Sequence, residues 1–125
     1  MLSRNDLRIY CLSMTGAYED FPFGPEAAVF KVKGKMFALL PVDENPQSIS
    51  LKCDPIEAVL LRQTYDSVQP GYHMSKKHWN TVTLTGDISD ERLQEMIEDS
   101  YILVRQKLKK SDRELLKQEE SNGAS

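Results

Sequence analysis

Residues 48–57 place a strand pattern directly before a helix start, and this junction restricts the possible folds more than any other feature of the chain. Ser48 to Cys53 alternates apolar and polar side chains, which is typical of a strand with one buried face. Asp54-Pro55-Ile56-Glu57 then provides an N-cap, a proline suited to the first helical position and a glutamate that can close a capping box. The helix is predicted to reach about Thr64, with these residues on one side: Ile56, Val59, Leu60 and Gln63.

Two further segments show the apolar spacing of helices. The first covers residues 3 to about 14, with Ser3 as the cap and Asp6 at the third helical position. Its apolar stripe is Leu7, Tyr10, Cys11 and Met14. The second begins at Ser89 or Asp90 and is the longest helix of the chain. Its apolar stripe is Leu93, Met96, Ile97, Tyr101, Val104 and Leu108.

Strand patterns lie between these helices. Ala28 to Leu40 is predicted to form a β-hairpin with its turn at Gly34. Residues 17–25, with two prolines and a glycine, predict an edge strand or an extended loop, and Thr81 to Thr85 predicts another strand. The order is helix, three strands, helix, one or two strands, helix. It predicts an α+β fold with two layers, a mostly antiparallel sheet with helices packed on one face.

The 125 residues are enough for one domain. We expect this domain to cover residues 1–110. Residues 111–125 are predicted to be a polar C-terminal tail, either a frayed helix or disordered, because the chain turns polar after Lys110.

The chain carries no sign of a membrane or secretory segment. Apolar runs such as Met36 to Val42 are far shorter than the roughly 18 residues of a membrane span. No basic segment followed by an apolar one opens the chain, so no signal peptide is expected. Cys11 and Cys53 lie far apart inside apolar patterns, which favours two reduced, buried thiols over a disulfide. We expect a cytoplasmic monomer without a cofactor.

The segment from Tyr72 to Thr81 concentrates the binding chemistry of the chain. It holds the only tryptophan, both histidines and two adjacent lysines. Lysines neutralise phosphates, and flat rings or amides meet bases. Trp79 is predicted to be a structural anchor, and alternation places Asn80 on the opposite, outward face. The candidate DNA contacts of this segment are Tyr72, His73, Lys76, Lys77, His78 and Asn80.

Lys31, Lys33 and Lys35 form a second candidate group, predicted to share an exposed side around the turn at Gly34. They suit a positively charged wing against DNA phosphates, or they are edge charges that block sheet-to-sheet aggregation. The net charge of −3 argues against non-specific adhesion of the whole surface to nucleic acid. Acidic residues concentrate instead in the longest helix and the loop before it: Asp87, Asp90, Glu91, Glu95, Glu98 and Asp99.

Six short motifs, taken in order, resemble the MmcQ/YjbR family. They are Phe21-Pro22-Phe23-Gly24, Phe30-Lys31-Val32, Gly34-Lys35-Met36-Phe37, Gly71-Tyr72-His73-Met74, Lys77-His78-Trp79 and Ser100-Tyr101. The resemblance covers about residues 5 to 110. It implies a frataxin-like (CyaY-like) α+β fold, in agreement with the predicted element order. It also implies DNA binding, which is usually ascribed to this family through a double-wing arrangement.

Neither a metal site nor an enzyme is expected. Iron binding on a frataxin-like fold would need a carboxylate cluster on the first helix and first strand, where this chain offers only Asp6, Glu19 and Asp20. His73 and His78 are awkwardly spaced for one metal on a strand. The chain also lacks a nucleophile elbow, a glycine-rich phosphate loop and an evident Cys–His pair.

The sequence therefore predicts a small non-enzymatic binding protein that contacts DNA. The alternatives are a protein-interaction module that uses the same surface or the acidic last helix, and a small-ligand or iron-handling protein.

Overall fold

The computed structural model describes residues 1–71 and 74–123. Over this range the chain forms four α-helices and six β-strands. Their order is α1 (Arg4–Leu12), β1 (Ala17–Asp20), β2 (Ala27–Val32), β3 (Lys35–Pro41), β4 (Ser48–Lys52), α2 (Pro55–Thr64), β5 (Val68–Pro70), β6 (Trp79–Thr83), α3 (Asp90–Gln106) and α4 (Lys110–Gly123).

The described strands make one antiparallel sheet in the order β1-β2-β3-β4-β6-β5. The first four strands are therefore neighbours in both sequence and space, and α2 forms the connection from β4 to the β5–β6 pair. The predicted α+β fold with helices on one face of an antiparallel sheet is confirmed. The predicted edge strand is β1. The short strand β5 is the second of the one or two strands predicted after α2.

The core lies between the sheet and α3. Phe30, Phe37 and Ile97 are fully buried in it, and the Phe37 and Tyr101 rings meet edge to face with centroids 5.4 Å apart. The apolar stripe predicted for the longest helix faces this core along its whole length. The hydrophobic effect therefore docks α3 onto the middle of the sheet.

Local signals set the ends of the helices and the hairpin as predicted. Ser3 and Asp6 form a complete capping box on α1, and the Asp54 carboxylate accepts from the first backbone N–H groups of α2. The β2–β3 turn consists of Lys33 and Gly34, with φ values of 48° and 80°. A tight turn of this kind requires positive φ at both positions, and lysine tolerates it here despite its Cβ.

The apolar side of α2 points away from the core. The buried residues of this helix are Ala58 and Leu61. The side named from the sequence carries Ile56, Val59 and Leu60, which are 75%, 47% and 50% exposed. A group of large aliphatic side chains in water departs from ordinary amphipathic packing.

Residues 111–123, for which either a frayed helix or disorder was expected, belong to the helix α4. Leu116 is fully buried beside Gly16, where an added Cβ would lie 2.6 Å from the leucine side chain. Arg105 of α3 pairs with Glu120 at 2.7 Å. One buried leucine and one ion pair thus fasten a mostly polar helix, and neither contact can be read from its composition.

Candidate nucleic-acid interface

The turns and loops that carry most of the candidate lysines lie at one end of the sheet. Antiparallel neighbours reverse direction, so the β2–β3 turn, the β4–α2 junction and the β5–β6 loop all lie at this end. Val32 pairs with Lys35 across the turn. The backbone N–H of Cys53, after β4, donates to the carbonyl oxygen of His78 at 2.8 Å and so joins the other two connections.

Three lysines from different elements lie close together here. Lys35 begins β3, Lys52 ends β4 and Lys107 follows α3. Partial burial lowers the pKa of Lys52, and the positive charges of Lys107 and Lys35 lower it further. The effect of these two charges on Lys52 indicates positive potential in this region. A bound anion would reduce the repulsion among the three lysines. Lys52 and Lys107 are site residues that sequence reasoning missed, because only the packing of α3 against the sheet brings them beside Lys35.

Lys76 and Lys77 are exposed on the loop before β6. This loop is held from two sides. The guanidinium of Arg62 in α2 donates to the carbonyl oxygen of Lys76. The backbone N–H of Trp79 donates to the carbonyl oxygen of Ser75 at 2.9 Å. The two lysines are therefore presented by an ordered turn.

The two predicted lysine groups share this end of the sheet. Only β4 separates β3, which starts at Lys35, from β6, so two strand spacings, roughly 10 Å, lie between them. Tyr72 and His73, named as candidates from the same loop, lie outside the described residues.

The structure corrects the prediction that Lys31, Lys33 and Lys35 share an exposed side. Lys35 is exposed and Lys33 is half-buried at the turn. The Lys31 ammonium lies 2.8 Å from the Asp20 carboxylate of β1, and its side chain is 21% exposed. The hydrogen bond to Asp20 raises the pKa of Lys31 and satisfies its charge within the sheet. Lys31 is therefore a poor phosphate ligand.

Asn80 and Trp79 also occupy faces other than those expected. Asn80 is 1% exposed and faces the helix layer, so its predicted outward position is wrong. Its side-chain oxygen accepts from Arg62 at 2.7 Å and its amide donates to the carbonyl oxygen of Ala58, which ties β6 to α2. Trp79 is buried, as expected of a structural anchor, but on the sheet face without helices. His78 stays half-exposed in the turn before β6.

Comparison with known proteins places this geometry in a family. The family model YjbR matches residues 12–103. The chain belongs to the YjbR family.

Curated relatives in Escherichia coli support the assignment. The uncharacterized protein YbdF of strain O157:H7 is 46% identical over 92 residues, which are 74% of this chain and 75% of that protein. The uncharacterized protein YjbR of strain K12 is 34% identical over 114 residues, which are 91% of this chain and 97% of that protein. Their names indicate a family and state no ligand.

Solved structures show the same YjbR-family fold. The crystal structure of Deinococcus radiodurans protein DR2400 has a TM-score of 0.87 and 43% identity, covering 93% of this chain and 88% of that one. The crystal structure of a Pseudomonas syringae protein has a TM-score of 0.71 and 29% identity, covering 82% of this chain and 98% of that one.

The Ser100-Tyr101 motif of this YjbR domain lies beneath the end of the sheet that carries Lys35 and Lys52. Ser100 is fully buried. Its hydroxyl donates to the carbonyl oxygen of Phe37 at 2.6 Å and accepts from the backbone N–H of Lys52 at 2.9 Å. In the β3–β4 pairing, Ala38 lies opposite Leu51 and Leu39 lies opposite Ser50. The Ser100 hydroxyl bridges the two strands just past the Ala38–Leu51 pair. The motif thus positions the backbone of Lys52.

The two cysteines of the YjbR domain are weak nucleophiles. Both cysteines are free thiols, as predicted, although Cys53 is only half-buried. Burial raises the pKa of Cys11 to about 12. Burial and then the charges of Glu57 and Asp54 raise the pKa of Cys53 to about 11. Reactive cysteines have a lowered pKa, so neither thiol resembles a catalytic nucleophile.

The described parts of this YjbR-family chain contain neither a clustered set of metal ligands nor a membrane-spanning helix. Residues 1–71 and 74–123 hold no group of three or more His, Cys, Asp or Glu side chains placed to bind a metal ion. No helix in the same ranges has the length and apolar character that a bilayer crossing requires.

Proposed function

We propose that this protein is a non-enzymatic binding protein that holds nucleic acid at the basic end of its sheet. The basic end is defined by six lysines: Lys33, Lys35, Lys52, Lys76, Lys77 and Lys107. One observation carries the proposal, namely that the β2–β3 turn, the end of β4, the β5–β6 loop and the end of α3 bring lysines to the same end of the molecule.

The arrangement suits phosphates better than a single anion. The lysines lie on separate connections spread over several strands, so they can meet successive phosphates along a backbone. Lysine is a flexible point charge that contacts phosphate without reading sequence. Affinity should therefore come mainly from counterion release. About five neutralised phosphates predict a log–log salt slope of roughly −4 to −5.

The negative net charge is compatible with this role because phosphate contact needs only a local group of cations. Glu95, Glu98 and Asp99 lie on the outer side of α3. Burial raises the pKa of Asp99, Arg92 opposes that effect, and the neighbouring carboxylates raise the pKa further. We therefore expect a polyanion to be attracted by the six lysines of the basic end rather than by the surface as a whole.

Fluorescence anisotropy on labelled DNA, from low to moderate salt, tests the proposal. Lys35→Ala/Lys52→Ala and Lys76→Ala/Lys77→Ala variants should each weaken binding and make the salt slope shallower by about two. Arg113→Ala/Lys117→Ala is the matched control, because it removes the same charge from a groove between α3 and α4. Absence of binding at low salt, or equal loss in the control, would contradict the proposal.

A protein-interaction module is the second candidate, and the outward apolar side of α2 favours it. Ile56, Val59 and Leu60 form an exposed aliphatic patch on α2. Replacing Ile56 and Leu60 with Ser should abolish binding of a protein partner and leave DNA affinity unchanged. Loss of DNA binding in this folded variant would instead assign the surface to nucleic acid.

A further inference from the structure

One face of the sheet is not covered by helices, yet it carries apolar side chains at positions where a solvent-exposed face normally has polar ones. Along β2 and β3 this face carries Val29, which pairs with Leu39. Val29 is fully buried, and Leu39 and Met36 are half-buried. Across β4 it continues to Trp79, which is 9% exposed. An antiparallel sheet with one wet face normally alternates apolar and polar residues. Here no helix of the described chain covers the apolar positions.

These positions form a groove of about 700 Å³. Such a volume is typical of sites that enclose an organic ligand. Its lining mixes aromatic, sulfur-containing and small side chains: Phe23, Ala27, Met36, Leu39, Pro41, Glu44, Ser48, Ser50, Met74, Ser75, Trp79 and Thr81.

The polar groups of the groove are few and mostly satisfied. The hydroxyls of Ser50 and Thr81 hydrogen-bond to each other at 2.8 Å. The Ser48 hydroxyl donates to the Glu44 carboxylate at 2.8 Å. The floor therefore behaves as an apolar surface, and Glu44 supplies a hydrogen-bond acceptor at the end away from the lysines.

The groove is continuous with the basic end of the sheet. Met74 and Ser75 form part of its wall and directly precede Lys76 and Lys77 in the same loop. Phosphates held by those lysines would lie at the mouth of the groove, and the attached bases could turn inward. Glu44 repels phosphates and accepts hydrogen bonds from amino groups on base edges. It therefore also favours an orientation with the phosphates at the lysines and the bases inside the groove.

We propose that the groove receives unpaired nucleobases of a single strand whose phosphates contact the basic end. The inference rests on the proposed function and narrows it from nucleic acid in general to unpaired strands. A duplex keeps its bases stacked and paired, so its bases cannot enter a groove of this kind. An unpaired strand gains stacking on aromatic side chains in addition to phosphate contact.

The chain has one tryptophan, so its emission reports on the groove directly. A 12-nucleotide DNA strand of mixed sequence is titrated alone and after annealing to its complement, at low salt, with anisotropy and tryptophan emission recorded together. We expect the unpaired strand to bind at least tenfold more tightly and to quench Trp79. Saturable binding of both forms with equal affinity and unchanged emission would overturn the groove inference while leaving lysine-dependent binding intact. Absence of binding by either form would overturn the proposed function as well.

Phe23 and Phe21 provide a matched pair of variants in one loop. Phe23 is 69% exposed and lines the groove, whereas Phe21 is 44% exposed and lines a different surface. Both side chains are exposed enough to be removed without unfolding the domain. Phe23→Ala should weaken binding of the unpaired strand roughly five- to hundredfold, and Phe21→Ala should not. Equal affinities in the two variants would remove the groove from the binding site.

Discussion

Replacing Ser100 with Ala should destabilise the protein far more than the loss of one hydroxyl suggests. The hydroxyl satisfies the carbonyl oxygen of Phe37 and the backbone N–H of Lys52 at a fully buried position. Alanine keeps nearly the same volume, so cavity formation contributes little. Each buried polar group left without a partner costs about 1–3 kcal/mol. The free energy of unfolding should therefore fall by about 2–4 kcal/mol, allowing for partial relaxation of the two strands.

Urea unfolding followed by tryptophan emission measures this change. With a urea slope of about 2 kcal/mol/M, the midpoint should move down by roughly 1–2 M. Ser13→Ala is the control, because the Ser13 hydroxyl also donates to a backbone carbonyl, that of Tyr10, but is exposed. We expect the control to lie within about 0.5 kcal/mol of the parent protein. A Ser100→Ala variant as stable as the control would refute the assigned bridging role.

Two further predictions concern α4 and the thiols. Leu116→Ala should lower the free energy of unfolding by about 2–5 kcal/mol, because Leu116 is fully buried, whereas Leu115→Ala, at a 47% exposed position, should be nearly neutral. Equal thermal stability of the two variants would show that α4 is not docked. Cys53 should react with a disulfide reagent roughly ten- to hundredfold more slowly than a free thiol near neutral pH, since its pKa is raised to about 11, and the rate should climb as pH rises toward that value. A rate that levels off below pH 9 would contradict the raised pKa.

Most helices and strands were predictable because their signals are local. Ser3 and Asp54 cap the helices that they were expected to cap. The stripe of α3 and the turn at Gly34 also follow from spacing within a few residues. The short strand β5 was left open because three residues carry too little periodicity. The frataxin-like comparison and the cytoplasmic location remain predictions.

The candidate site was less predictable, since alternation assigns neighbours to opposite faces without saying what covers either face. Asn80 was separated correctly from Trp79, yet α2 covers Asn80 and leaves the face of Trp79 without a helix. In the same way Lys31 meets Asp20 across the β1–β2 pair. Strand pairing therefore removed Lys31 from the candidate contacts, and the packing of α2 removed Asn80.

By itself the sequence determined the element order, the helix caps, the hairpin and the inward stripe of α3, because each depends on side chains a few positions apart. Tertiary structure decided which lysines share one end of the sheet, since Lys35 and Lys107 come near enough to lower the pKa of Lys52 only when α3 packs across β3 and β4. It also decided that α2 turns its aliphatic side to solvent and that Leu116 fastens α4. These outcomes depend on contacts between segments distant in the chain, which local periodicity does not encode.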